Sequence, residues 1–236
     1  MNTKLVTILI ILAGTLITTK SFAEEQKRDV TSFSSIVLNV PAQLYFEQGN
    51  TQSVKIEAPS STLDEIVTEV KDHKLIIRFK EKRFFLRSFS NAKIVIHITN
   101  PDIDGLEISG SGDFVAENDI KTNDLNLIIS GSGSIKFGSL DAGKVGARIS
   151  GSGNIVFDDN GSADSFSISV SGSGKIKASN LEVKDVSVKV SGSGNSTVYA
   201  TDNLDVHVSG SGDVYYRGRP NVNSQVSGSG KVRKLD

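Results

Sequence analysis

The sequence predicts an all-β protein whose second half is a parallel β-solenoid of about seven coils. A Ser-Gly-Ser-Gly tetrad occurs seven times, and successive copies are 21, 20, 21, 20, 18 and 18 residues apart. Each tetrad follows Ile or Val, and the second residue after it is apolar in six of the seven copies. Around the tetrads, apolar and polar residues alternate with the period of two that is typical of strands. A regular repeat of about 20 residues matches one coil of a solenoid.

The tetrads place glycine on the apolar side of each predicted strand and serine on the polar side. They begin at Ser109, Ser130, Ser150, Ser171, Ser191, Ser209 and Ser227. The glycines could form corners with positive φ, or they could let two walls of a coil approach closely, and the unbroken alternation favours the close approach. We expect the serines to stack as an outward ladder. Hydrogen bonding between coils and solubility are its favoured roles, and presentation of a polar strip to a ligand is the alternative.

Residues 24–105 lack the tetrad but also show β patterns. Alternation around Asp72-His73 favours a hairpin over a helix for residues 66–79, with at most one short helical turn near Leu63. Alternation from Lys93 to Thr99 predicts a strand with His97 on its polar side. We therefore predict an N-terminal β part at 24–105, followed by the solenoid at 106–236, within one domain.

The first 23 residues resemble a signal peptide. Lys4 precedes an uncharged stretch from Leu5 to Thr19, and Ser21-Phe22-Ala23 offers small residues before Glu24. The stretch is shorter than the roughly 20 residues that span a bilayer, so we expect cleavage and no permanent transmembrane segment. After cleavage the chain has 24 basic and 27 acidic residues, which gives a net charge of −3. This charge provides no general attraction to nucleic acid.

The sequence predicts no catalytic, metal-binding or cofactor-binding site. It contains no cysteine, which excludes disulfides, thiolate ligands and an acylated cysteine. Its three histidines, His73, His97 and His207, occur in no spaced metal or triad motif. The glycine-rich tetrads lack the lysine pattern of a phosphate-binding loop. The adjacent acids Asp158 and Asp159 fall in a predicted turn.

The segment from Arg78 to Phe89 mixes cations with aromatic residues. The residues singled out as a candidate surface contact are Arg78, Lys82, Arg83, Phe84, Phe85 and Arg87. Such a segment could dock onto an anionic surface. The favoured alternative is a hairpin tip whose phenylalanines cover one end of the solenoid. A second cluster, Tyr215 to Arg219, is interpreted as a wall of the last coil with one exposed tyrosine.

Several motifs together resemble a known bacterial family. They are Phe33-Ser34-Ser35-Ile36 leading to Pro41, Tyr45 to Gly49 before Val54-Lys55-Ile56, Leu75-Ile76-Ile77, and the recurrent Ile/Val-Ser-Gly-Ser-Gly. Over residues 30–234 the chain is similar to the head GIN domain family of autotransporter adhesins, a domain of unknown function. This resemblance implies a right-handed β-helix similar to pectin lyases, an exported location and a role in adhesion. It supplies no binding residues. The repeats run to the end of the printed sequence, so we expect no self-secretion of the autotransporter kind.

The resulting expectation is an exported, non-catalytic, adhesin-like module of the cell envelope that binds an unidentified glycan or protein through the solenoid flank. One alternative is a polysaccharide-processing enzyme on a pectin-lyase-like fold, and another is a structural spacer. The sequence leaves open whether the protein stays in the periplasm, reaches the cell surface or is released. It also leaves the oligomeric state open.

Overall fold

One β-sheet, coiled into a solenoid, contains most of the described residues. The structure is a computed structural model that describes residues 24–80 and 93–235, with 71% strand and 2% helix. The nineteen strands in this part of the chain belong to one hydrogen-bonded sheet, which forms a solenoid of about six turns. The predicted fold class is confirmed. The sequence predicted about seven coils, and the structure has about six turns.

The N-terminal part supplies the first seven strands and one short helix. Their bounds are β1 Glu24–Lys27, β2 Ser35–Asn39, β3 Gln43–Gln48, β4 Ser53–Ala58, α1 Ser60–Leu63, β5 Ile66–Lys71, β6 Lys74–Phe79 and β7 Val95–Asn100. Strands β5 and β6 pair antiparallel, and the turn residues Asp72 and His73 have φ values of 50° and 59°. This backbone is that of a two-residue hairpin turn. The hairpin and the single helical turn at Leu63 are therefore confirmed.

The repeat region alternates long and short strands. Their bounds are β8 Gly105–Gly110, β9 Asp113–Ala116, β10 Ile120–Gly131, β11 Ser134–Phe137, β12 Leu140–Gly151, β13 Asn154–Phe157, β14 Gly161–Gly172, β15 Lys175–Gly192, β16 Asn195–Gly210, β17 Val214–Arg217, β18 Asn221–Gly228 and β19 Val232–Lys234. Neighbouring coils pair parallel with equivalent residues aligned, so that Ser130 lies between Ser109 and Ser150. This alignment is what stacks each tetrad on the next.

The two glycines of each tetrad have different structural roles. The first glycine has positive φ in all seven copies, from +107° at Gly110 to +138° at Gly131. It therefore forms a corner, so the prediction that favoured close approach over a corner was wrong at this position. The buried residues before and after the corner keep the same parity, although the first glycine itself is exposed or half-buried, and this is why the alternating pattern did not reveal the corner. The second glycine does meet close packing, because a Cβ at Gly133 would lie 2.9 Å from Ile108 Cγ2 and would overlap the Gly112 carbonyl oxygen.

Stacked side chains fill the interior of the solenoid. A column of buried rings runs along the axis with centroid separations of 5.9, 5.4, 5.6 and 5.7 Å; its members are Phe46, Phe114, Phe137, Phe157 and Phe166. Rows of buried Ile, Val and Leu accompany it. Each coil thus covers the apolar side of its neighbour, which a single coil could not do alone.

The N-terminal strands continue the walls of the solenoid and then close its end. Strand β2 pairs parallel with β6 and β8, and β3 pairs parallel with β7 and β9. Beyond them, β5 pairs antiparallel with β6, β4 with β7, and β1 with β4. The antiparallel strands therefore form a cap on one end of the parallel stack. Three of the four residues on the outer strand β1 are charged, as is typical of a protected sheet edge.

Ser196 is a polar exception in an otherwise apolar row. It is fully buried between Ile176 and Val214 in the sheet register, and its hydroxyl has no hydrogen-bond partner among the described residues. A buried hydroxyl without a partner costs about 1–3 kcal/mol. We therefore expect Ser196→Ala to stabilise the protein by about 1 kcal/mol. Chemical denaturation should show this gain, whereas the exposed substitution Ser171→Ala should leave stability unchanged. A loss of stability in Ser196→Ala would contradict the assignment.

Candidate binding surfaces

The tetrad corners present two parallel rows of serine hydroxyls along one flank, which we call the serine face. The first row contains Ser109, Ser130, Ser150, Ser171, Ser191, Ser209 and Ser227, and the second contains Ser111, Ser132, Ser152, Ser173, Ser193, Ser211 and Ser229. All are exposed except Ser109, which is half-buried. Because the coils stack about 4.8 Å apart, equivalent hydroxyls recur at that step along the flank.

Local backbone chemistry explains why these side chains point outward. The positive φ of the first glycine turns the chain, and the amide of the following serine donates to the first glycine of the previous coil. These bonds recur at 2.8–2.9 Å, for example from Ser132 N to Gly110 O and from Ser193 N to Gly172 O. The backbone is therefore satisfied by the neighbouring coil, and the serine side chains take no part in it.

The serine hydroxyls do not bond to one another. Within the described residues no tetrad serine makes a side-chain hydrogen bond, so the favoured prediction of a self-bonded ladder was wrong. The row directly after the tetrads behaves differently. Asp113 Oδ1 accepts from Ser134 N at 3.1 Å, and Asp213 Oδ1 accepts from Lys231 N at 2.9 Å. Polar groups beside the serine face thus form hydrogen bonds that hold the coils together, while the serine hydroxyls remain available to bond a ligand.

Two acidic clefts lie towards the N-terminal end. The larger, about 650 Å³, is lined by Asp102, Asp104, Asp124 and Asp141 together with Lys121 and neighbouring polar residues. The smaller, about 360 Å³, gathers Glu25, Glu47, Glu57 and Glu117 around Lys55 and His97. Sequence reasoning missed both clefts because their residues come from different coils. Nevertheless, no group of three or more metal-ligating side chains positioned to hold an ion occurs in residues 24–80 and 93–235.

The histidines and the acidic pair lie apart from one another. His97 stacks on Tyr45 with ring centroids 5.3 Å apart, and its Nε2 lies 3.7 Å from Glu57 Oε1. Asp158 is engaged by Lys136 at 2.8 Å and Lys177 at 3.9 Å. The hydrogen bond to Asp158, together with the charge of that carboxylate, raises the pKa of Lys136. Asp158 thus acts as an ion-pair partner between coils.

Only one residue of the predicted basic and aromatic contact falls within the described chain. Arg78 lies in β6, where its Nε donates to Glu69 Oε1 at 3.0 Å across the hairpin. The other five, Lys82, Arg83, Phe84, Phe85 and Arg87, lie outside the described residues. In the second cluster, Tyr215 and Tyr216 are both half-buried, so the one exposed tyrosine expected there is not present.

Comparison with known proteins gives the family. Residues 32–220 match the family described as "Putative auto-transporter adhesin, head GIN domain", which covers most of the chain. The chain therefore belongs to this family of adhesin-like domains. No curated protein sequence matches it. Among the residues that the structure describes, no helix has the length and apolar character needed to cross a membrane.

Solved structures share the fold. A "putative adhesin" from Bacteroides fragilis is 26% identical, with a TM-score of 0.82 over 90% of this chain and 97% of that protein. A "putative lipid binding protein" from Parabacteroides distasonis is 24% identical, with a TM-score of 0.71 over 92% of this chain and 98% of that protein. A "putative adhesin" from Parabacteroides merdae is 21% identical, with a TM-score of 0.70 over the same shares. The last two establish the fold alone.

Proposed function

We propose that this protein is an exported, non-catalytic binding module of the bacterial cell envelope that holds a glycan on its serine face. The observation that carries the proposal is the pair of aligned serine rows, whose hydroxyls are exposed and make no side-chain hydrogen bonds within the described chain. Each hydroxyl can both donate and accept, which matches the hydroxyls of a sugar. A polymer of repeating units is the ligand that can use identical groups at a regular step.

Further features support this proposal. Membership of an adhesin-like family favours binding over catalysis. The ion pairs of Asp158 occupy one of the two adjacent acids that the enzyme alternative would use. The apolar leader from Leu5 to Thr19 and the small residues Ser21 and Ala23 support export. Binding would be weak per coil and would increase with the number of coils in contact, because each hydroxyl contributes only about 0.5–1.5 kcal/mol.

The role of the serine face in binding is tested by replacing its serines with longer side chains. The triple variant Ser150→Gln, Ser171→Gln and Ser191→Gln places longer side chains on three successive coils. We expect it to bind bacterial surface polysaccharides at least about tenfold more weakly, since several hydroxyl contacts are blocked together. A surface-polysaccharide array and titration of its best ligand supply the measurement. In the same cells, the tagged chain should be recovered outside the cytoplasm with Glu24 as its first residue.

The matched control changes serines elsewhere on the same strands. Ser167 and Ser187 are exposed, pair with each other in β14 and β15, and lie away from the tetrad corner. The double variant Ser167→Gln and Ser187→Gln should bind like the unaltered protein. Equal losses in both variants, or no binding to any surface polysaccharide, would refute the proposal. If the triple variant still bound polysaccharide as the unaltered protein does, the binding site would lie elsewhere than on the serine face.

A further inference from the structure

A cleft opens at the last coil, at the turn between β17 and β18 and away from the tetrad corners. Its volume is about 520 Å³, and its lining includes Tyr199, Arg217, Arg219, Lys234 and Leu235. Tyr199 lies in β16, Arg217 and Arg219 lie in and just after β17, and Lys234 and Leu235 lie at and just after the end of β19, so stacking brings three successive parts of the solenoid together. The size lies within the range of small-ligand sites.

Arg217 is held in place at this cleft before any ligand arrives. Its guanidinium carbon lies 5.2 Å from the centre of the Tyr199 ring, and its Nη1 donates to the Ser179 carbonyl at 2.9 Å. A cation over an aromatic ring is an attractive arrangement that fixes the guanidinium plane. A fixed group loses less conformational entropy on binding. Gly218, with φ of +97°, allows the close turn, because a Cβ there would overlap the Ala200 carbonyl oxygen.

The charge of this coil is one-sided. Residues 214–235 contain five cations, Arg217, Arg219, Lys231, Arg233 and Lys234, and no carboxylate, with one aspartate on either side at Asp213 and Asp236. Among residues 24–80 and 93–235, no acidic residue lines the cleft, although the neighbouring Asp202 accepts from Thr201 Oγ1 at 2.8 Å. Within residues 24–80 and 93–235, the side chains of Arg219 and Lys234 make no ion pair or hydrogen bond. Two unneutralised cations and one fixed guanidinium therefore converge on the same space, in a chain whose net charge is −1.

We propose that this cleft binds the carboxylate-bearing sugars of an acidic polysaccharide. The Arg217 guanidinium offers paired N–H donors that match a carboxylate. The side chains of Arg219 and Lys234 supply further positive charge. The volume exceeds that of a single ion, so a larger anionic unit fits. Leu235 is the one aliphatic side chain among its lining residues, so the cleft has no cluster of aliphatic side chains to hold acyl chains. The inference is independent of the serine face, which lies at a different corner.

Affinity electrophoresis with polygalacturonate tests this site. The unaltered protein should be retarded in gels that contain the polymer, relative to gels without it. The double variant Arg219→Gln and Lys234→Gln removes the two cations that have no structural contact, so its thermal midpoint should not change. We expect its apparent dissociation constant to rise about tenfold, the loss expected from two exposed charge contacts. The retardation of the unaltered protein should weaken as salt is added.

The control removes the same amount of charge elsewhere. Arg148 and Lys189 are exposed on the outer side of β12 and β15, and Arg148→Gln with Lys189→Gln should keep its affinity within about twofold. If the control variant lost as much affinity for polygalacturonate as the Arg219→Gln/Lys234→Gln variant, the net charge of the protein would explain the binding and the proposed site would be wrong. Full retardation of the Arg219→Gln/Lys234→Gln variant would also contradict the proposal. So would an unaltered protein that sediments with phosphatidylglycerol vesicles but does not bind polygalacturonate. The serine-face triple variant should bind polygalacturonate normally, which separates this test from the test of the proposed function.

Discussion

Replacing Gly131 with alanine is expected to destabilise the protein by about 3–5 kcal/mol, from a strained backbone and a steric clash together. Gly131 has φ of +138°, which alanine adopts poorly. Its new Cβ would overlap the Gly110 carbonyl oxygen and lie 3.0 Å from the Gly110 carbonyl carbon and Cα. The Gly110 oxygen cannot move away freely, because it accepts from Ser132 N at 2.9 Å and from Gly133 N at 3.1 Å. Denaturant unfolding followed by circular dichroism measures the loss.

The matched control for this prediction is the equivalent glycine of the first tetrad. Gly110 has φ of +107°, but a Cβ there would meet no atom within 4 Å. Gly110→Ala therefore carries the backbone strain without the clash and should cost only about 1–2 kcal/mol. The difference between the two variants isolates the contact between coils. Equal stabilities of the two alanine variants would show that stacking at the tetrads is looser than described.

Replacing Phe137 with alanine is the second change with a large expected effect, a loss of about 3–5 kcal/mol. Phe137 is fully buried near the middle of the ring column, with Phe114 and Phe157 at 5.4 and 5.6 Å. Coils on both sides hold these neighbours in place through the parallel sheet, so the space left by the ring cannot close by a small shift. The thermal midpoint should fall by roughly 10 °C for a chain of this size.

Phe137→Leu separates the volume of the side chain from the ring contacts. Leucine fills most of the cavity, so this variant should lose less than about 2 kcal/mol. If alanine and leucine cost the same, ring contacts rather than cavity formation would dominate the column. A cost below about 1 kcal/mol for alanine would contradict a closely packed interior.

The two roles of the tetrad link stability to binding. Its glycines allow the corner and the close contact between coils, and the same corner directs the serines outward. The serine rows are regular because equivalent residues pair in register from Ser109 through Ser227. A ligand that spans several coils therefore meets a surface whose spacing the backbone sets. Substitutions that distort the stack should consequently weaken binding at the serine face as well.

Several features of the fold could be predicted from residue patterns because they depend on local chemistry. Alternating burial identified the strands, and the turn chemistry of Asp72-His73 identified the hairpin. The tetrad spacing identified the stacking of coils. By contrast, the corner at the first glycine was missed, since a positive φ changes the chain direction without changing which side chains are buried. The serine hydroxyls were expected to bond between coils, but no such bond forms in the described chain.

By itself, the sequence determined that the chain is β and that serine lies on the outer side, because repeated alternation within one strand is enough for these two conclusions. The regular spacing of the tetrads determined that the repeats stack as coils. Only the tertiary structure decided which residues from separate coils meet. Tyr199 lies beside Arg217, and Lys234 reaches the same cleft, because the coils align residue by residue across 18-residue steps. A binding surface of a solenoid is built across coils, perpendicular to the chain, and patterns along the chain do not describe that direction.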